Sequence, residues 1–200
     1  MIEFTSLATM IVATLFINNV LLFSFLGLES LVSTEEKPKN ALKLSLSLIF
    51  VLPLVSMVGF WIYHTLLFST NELGEVIKDF TYFQTFVFVV TSTVVIVLFN
   101  VLIKRLFPKL YALIGTFTTQ LVSNTIVLGV LLINISSVDT IQNSFYLSLF
   151  AAIGYGFVLT LLTFIEKHLH QAPVPKGFKG LPIQLIILSI IALILLGLSV

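Results

Sequence analysis

Charged residues fall in clusters along this chain, and long runs without any charge lie between them. Residues 4–28, 44–71, 80–103, 110–138, 140–165 and 180–200 form six uncharged stretches of 25, 28, 24, 29, 26 and 21 residues. A helix needs about 20 apolar residues to cross a hydrocarbon core of about 30 Å, so each stretch can cross once and none can cross twice. Membrane strands would alternate polar and apolar residues in segments of about ten. Runs such as Ile183-Gln184-Leu185-Ile186-Ile187-Leu188 do not alternate. Helices satisfy their own backbone in lipid. The pattern therefore predicts an all-α integral membrane protein, a single domain over 1–200 with six transmembrane helices.

Composition closes off the soluble alternative. Hydrophobic residues make up 58% and charged residues 10%, more apolar surface than a soluble chain of this size can hide from water. A net charge of +1 excludes nucleic-acid binding by bulk electrostatics. The absence of cysteine removes disulfides, thiolate metal sites and cysteine nucleophiles. The first stretch follows Glu3 rather than a basic segment, so it reads as a retained helix, not a cleaved leader.

The loops orient the bundle. Those near 29–43, 104–109 and 166–179 hold Lys37, Lys39, Lys43, Lys104, Arg105, Lys109, Lys167, Lys176 and Lys179, nine of the ten basic residues. Those near 70–80 and 134–144 hold Lys78 beside Glu72, Glu75, Asp79 and Asp139. The excess of Lys and Arg marks the cytoplasmic side. Six crossings then leave both termini extracytoplasmic, in a multi-pass protein of the cell's cytoplasmic (inner) membrane.

Six helices divide into two triplets, about 1–103 and 104–200, and an odd number per half makes the second run opposite to the first. Inverted repeats of this kind build sites near the midplane where helices break. Asn18-Asn19-Val20-Leu21-Leu22 in the first span and Ser123-Asn124-Thr125-Ile126-Val127-Leu128 in the fourth place Asn19 and Asn124 105 residues apart. Breaks are expected in these two spans. A buried amide without a partner costs several kcal/mol in hydrocarbon, so Asn18, Asn19 and Asn124 must bond to other helices, freed backbone or water. Thr116, Thr118, Thr119, Gln120, Ser123 and Thr125 make the fourth span the most polar for its length. Two readings stand: interhelical bonding alone, or a polar site for electrons, ions or a small ligand. Glu29, at the end of the first span, is either an intramembrane acid with a role or a side chain reaching the headgroups.

Common chemical motifs are missing. His64 stands alone, and His168 and His170 are two apart, a spacing that does not share a helix face. There is no HExxH, P-loop or GxGxxG, and Gly154-Tyr155-Gly156 reads as a packing notch. No catalytic residue and no metal ligand set emerges. The chain is at most a non-catalytic subunit of a larger oxidoreductase or translocase.

At four places the sequence resembles the RnfA and NqrE family of membrane subunits. Asn18-Asn19, Leu22 and Phe25-Leu26-Gly27-Leu28 look like the family's first helix. Leu110-Tyr111, Leu113-Ile114-Gly115, Asn124, Val127-Leu128-Gly129-Val130 and Asn134 resemble its fourth, and Val174-Pro175 with Phe178 and Gly180 its last loop. The resemblance implies a redox-driven ion-translocating complex, a sister six-helix subunit of opposite topology, and flavin-carrying partners with iron–sulfur centres. It also implies a [2Fe–2S] cluster held between the sister subunits by one cysteine after the Phe-Leu-Gly-Leu segment and one after the fourth-helix asparagine. Glu29 and Thr125 occupy those positions here. Carboxylate and hydroxyl do not replace thiolate at such a cluster, so the chain is expected to bind none, leaving flavin and iron–sulfur centres to partner subunits. The candidate cofactor or ion-pathway residues are Asn18, Asn19, Glu29, Asn124 and Thr125. Two alternatives stand beside the complex subunit: a cysteine-less paralogue serving flavin-based extracytosolic electron transfer, and a small transporter or ion pathway with oxygen ligands at the first and fourth spans.

Overall fold

The computed structural model describes residues 14–15, 19–30, 38–70, 76–169 and 175–198. Its helices are α1 (Val20–Ser24), α2 (Pro38–Ile62), α3 (Gln84–Leu106), α4 (Pro108–Gln120), α5 (Thr125–Ser137), α6 (Ile141–Leu169) and α7 (Leu181–Leu198). Three spans are long and apolar enough to cross a bilayer: Pro38–Leu67, Thr81–Leu106 and Ile141–Leu169. Pro108–Ser123 and Thr125–Ser137 qualify as a fourth when taken together, bent by 67° at their junction. The apolar α7 is shorter, and among the described residues of the first uncharged stretch the α-helix is α1. The helical, membrane-type character read from the charge pattern is what the structure shows.

One element lies outside the helical expectation. The run 44–71 does not stay helical to its end. α2 loosens into a π turn (Tyr63–Leu67), and the chain then forms β1 (Phe68–Thr70), which pairs antiparallel with β2 (Val76–Asp79). Phe68 faces Asp79 and Ser69 faces Lys78, and a bulge precedes the Thr70–Val76 pair. Phe, Thr, Val and Ile favour strands. An open two-stranded edge leaves backbone groups that only water can satisfy, which places this hairpin outside the hydrocarbon. The second crossing itself covers Pro38–Leu67, starting before the uncharged run and ending before its last residues.

The chain divides into two compact units, one of Ser47–Leu149 and one of Ile2–Leu46 with Phe150–Val200. Both cuts fall within continuous helices, α2 and α6. In the first unit α3 packs on α4 and α5, and α2 approaches α5 at Gly59, where a Cβ would collide with the Leu131 side chain. In the second, Gly156 of α6 meets Ser45 of α2 in a similar way: a Cβ there would lie 2.6 Å from the serine Cβ. α1 packs on α7. Small residues at helix crossings let backbones close, which is how helices associate where lipid supplies no hydrophobic drive. α3 is the outlier: 28% of its window is buried, against 56% for the α2 and α6 spans.

Candidate functional site

Two of the sequence-predicted residues are helix caps at chain breaks. Asn124 ends a 3-10 turn (Leu121–Ser123) and has extended backbone, φ −84° and ψ 123°. Its Oδ1 accepts the Ile126 N–H at 3.0 Å and its carbonyl accepts that of Val127 at 3.2 Å. Asn19 has nearly the same backbone, φ −61° and ψ 124°, and its Oδ1 accepts the Leu21 N–H at 3.1 Å. Both side chains are buried. Asparagine suits the position because it tolerates the non-helical conformation and satisfies an amide the helix start leaves open. Charge-free, it does so without placing an ion in lipid.

In the second unit α6 fixes the path of the chain around and beyond Asn19. The Asn19 Nδ2 donates to the Leu15 carbonyl at 3.0 Å, and Gly154 gives both residues room: a Cβ there would lie 3.0 Å from Nδ2 and 3.1 Å from the Leu15 backbone. α1 then ends at Phe25 in the left-handed region, φ 53°, followed by Gly27 at φ 80°. The Gly27 carbonyl accepts the Ser30 N–H at 3.0 Å and the hydroxyl of the fully buried Tyr155 at 2.8 Å. A Cβ at Gly27 would come within 2.6 Å of the Tyr155 ring. Gly154-Tyr155-Gly156 is thus a packing notch with a defined role, clamping the turn that carries Glu29. Sequence reasoning missed that role, for which the signal is a lone tyrosine between two glycines in an apolar helix.

The first unit accounts for much of the polarity of the fourth span. Thr118 and Thr119 donate back to the Ile114 and Gly115 carbonyls at 3.0 and 3.1 Å, and Ser123 to Gln120 at 3.3 Å. Such bonds satisfy hydroxyls within one helix and ease bending. Others link helices. Ser47 of α2 donates to the Ile114 carbonyl at 3.3 Å, and Asn100 of α3 donates to the Thr119 hydroxyl at 3.0 Å. Asn100 is thus an interhelical tie.

Glu29 and Thr125 are both exposed on this chain, whereas Asn19 and Asn124 are buried. Asn18 lies outside the described residues. Asn19 and Glu29 belong to one unit, Asn124 and Thr125 to the other. As donors for a [2Fe–2S] cluster, a carboxylate at Glu29 and a neutral hydroxyl at Thr125 do not fit. Redox iron–sulfur iron is held by thiolate, with imidazole the known substitute. The chain has no cysteine, and the described residues contain no cluster of three His, Asp or Glu. Each capped break places polar backbone and an amide oxygen beside buried apolar side chains of its own unit.

Known proteins are similar to this chain over nearly its whole length. The family described as Rnf-Nqr subunit, membrane protein, matches residues 7–200. Proteins named as the A component of an ion-translocating oxidoreductase complex are similar over nearly full length. The one from Pasteurella multocida is 32% identical over 96% of this chain and 96% of its own. Those from Pseudoalteromonas translucida and Hahella chejuensis are 30% and 32% identical over the same shares. With the match extending through both breaks and the last two helices, the chain belongs to the Rnf-Nqr family of membrane subunits.

Proposed function

We propose that this protein is the A-type membrane component of an Rnf/Nqr-like, redox-driven ion-translocating complex, and that it supplies no cluster ligands of its own. The observation that carries the reading is end-to-end similarity to proteins named as the A component of such a complex. In this reading the chain forms six spans in two inverted triplets, with both termini extracytoplasmic. The paired asparagine caps, alike in backbone and in the i+2 bond, support the repeat. The clustering of nine basic residues in alternate loops supports the orientation. A sister subunit of opposite topology covers the exposed Glu29 and Thr125 positions, and flavin-carrying subunits bring the redox groups.

The zero-cysteine background makes the test direct, because single cysteines need no prior removal of native ones. Cysteines at Lys39 and Lys104 should be labelled by a membrane-impermeant maleimide only after the cells are opened. A cysteine at Asp139 should be labelled on intact cells, and the reverse pattern rules out the orientation. Cysteines at Glu29 and Thr125 should be protected in the gently purified complex and react once subunits are separated. Mass spectrometry of that complex should find a second six-span subunit and flavoprotein. A preparation that retains neither excludes the complex reading.

A second reading draws on the replaced ligand positions. Without cluster ligands, the subunit belongs to a flavin-based route delivering electrons to the cell exterior, with no ion pumped. Reconstituted vesicles separate the two readings: electron transfer that builds no ion gradient favours the second. A free-standing ion pathway predicts instead flux through the chain alone, abolished by Asn19→Ala and Asn124→Ala.

A further inference from the structure

The two faces of α3 differ in chemistry. The buried face carries Thr91, Ser92 and Ile96, and Asn100 ties the helix to α4. The outward face carries Val90, Val94, Val97, Leu98, Val101 and Leu102, all exposed. Every exposed residue of α3 from Phe86 to Leu102 is apolar. Arg105 follows one turn past Val101 on the same side of the helix, in its last turn. Phe107 alone separates α3 from α4, and Leu106 and Phe107 are exposed among Lys104, Arg105 and Lys109.

We infer that Arg105 and the apolar ridge leading to it form a binding site for an acidic phospholipid, with the phosphodiester on the guanidinium and an acyl chain along the ridge. Helices that meet in lipid do so through small and hydrogen-bonding residues. The ridge has neither, so it suits acyl chains and not another helix. Arg105 stands eleven residues past Val94. That is about 16 Å of helix, and one leaflet of hydrocarbon is about 15 Å thick. Charge selects the headgroup. No acidic residue occurs from 80 to 138, so nothing within α3, α4 or α5 compensates the three cations. Lys104 lies over the Tyr111 ring at 5.7 Å, and among the described residues Arg105 and Lys109 have no ion pair. The negative end of α3 favours a cation there but leaves the guanidinium N–H donors unused. A phosphate takes two of them in a fork. A free anion would meet the same donors, but a phospholipid also brings the hydrocarbon that covers the ridge.

The site depends on neither the redox nor the topology reading, because a phosphodiester is at hand in either leaflet. The full chain with Leu98→Cys, labelled with bimane, is reconstituted in phosphatidylcholine bilayers. These are doped with chain-brominated phosphatidylglycerol or, at the same fraction, chain-brominated phosphatidylcholine. One basic side chain near the surface favours an anionic lipid by about fivefold, so the brominated phosphatidylglycerol should occupy the ridge about fivefold more and quench accordingly. Arg105→Gln should bring the two lipids to parity, and Arg105→Lys should keep part of the preference. Arg105 is exposed, so neither exchange disturbs packing. Equal quenching by both lipids in the chain with Arg105 intact overturns the inference, as does a preference that survives Arg105→Gln. Inorganic phosphate that removes the preference when chloride of the same ionic strength does not reassigns the site to a free anion. In the complex assembled around the labelled chain, the preference should persist. Loss of quenching by both lipids there means that a partner subunit covers the ridge, and the lipid assignment fails.

Discussion

At Asn19 the chain leaves one extended residue, makes five helical residues and turns out again through Phe25 and Gly27; at Asn124 the same kind of residue opens a helix of thirteen. The cap is common to both: an asparagine with ψ near 124°, its Oδ1 on the N–H two residues on. Beyond the cap the two regions diverge. After Asn124 the next residues, Thr125-Ile126-Val127-Leu128-Gly129-Val130, continue the helix without left-handed residues. After Asn19 two positive-φ residues reverse the chain, and a tyrosine from α6 seals the turn at the Gly27 carbonyl. A break can therefore be locally encoded, whereas the direction the chain takes after it depends on a residue more than a hundred positions away. This also separates Glu29 and Thr125, the two positions that the family resemblance singles out. Thr125 adjoins its asparagine, while Glu29 lies ten residues past Asn19 and is placed by the sealed turn.

The strongest way to break the comparison is at Gly27. Alanine there must adopt φ 80° and place its Cβ 2.6 Å from a fully buried ring. Left-handed backbone costs about 1–2 kcal/mol and overpacking about 1–3 kcal/mol. Gly27→Ala should lower stability by about 3 kcal/mol and should displace Glu29, read as altered reactivity of a cysteine at position 29. A matching Gly129→Ala on α5, at ordinary helical φ, should not move a cysteine at 125. If both report alike, the turn does not control the placement of residue 29.

The caps come next. Asn19→Ala removes the bond to Leu21 N–H and the donor to the Leu15 carbonyl, so the loss should be about 2 kcal/mol. Asn124→Ala removes the bond to Ile126 N–H and should cost about 1 kcal/mol. Thermal unfolding in one detergent checks the order. A loss of only about 1 kcal/mol for Asn19→Ala means that the Leu15 bond contributes nothing. Tyr155→Phe keeps the ring under Gly27 and removes one hydroxyl, and should cost about 1 kcal/mol.

These residues differ in how legible they were in the sequence. The charge-free runs foretold the membrane helices because desolvating a charge is costly wherever it falls in a span. The caps were legible because an amide in an apolar run demands a partner and asparagine supplies the cap within two residues. The Tyr155 clamp was not, because its partner lies 128 residues away and a tyrosine between two glycines does not name it. The hairpin was missed for the opposite reason: Phe68 and Val76 count as apolar, so a scale of apolar length cannot tell strand from helix. The hydroxyls of the fourth span were legible as polar, while their partners were not. Thr118 and Thr119 return to carbonyls of α4, and Ser123 in the following turn returns to Gln120.

A third turn uses the same i+2 bond with a different side chain. Asp79, fully exposed at the end of the hairpin, accepts the Thr81 N–H at 3.2 Å and the Thr81 hydroxyl at 2.6 Å. The hydroxyl and amide of Thr81 hold its carboxyl below the usual range. A lowered value means the contribution is present at neutral pH and is lost as pH falls below the ordinary carboxylate value of about 3.9 and through the folded one. Water explains why an acid serves here and an amide serves at the two breaks: an exposed carboxylate keeps its hydration, whereas a buried one loses it. Exchanging the side chains tests the rule. Asn124→Asp should destabilise the chain more than Asn124→Ala, although it keeps the acceptor, and the deficit should shrink at low pH as the acid is neutralised. Asp79→Asn should leave melting unchanged and remove only the acid loosening of the Thr81 amide, read by hydrogen exchange on moving from neutral to acidic pH. If Asn124→Asp is as stable as wild type at neutral pH, the second break is wet, and its asparagine is a cap of convenience, not a requirement of the bilayer.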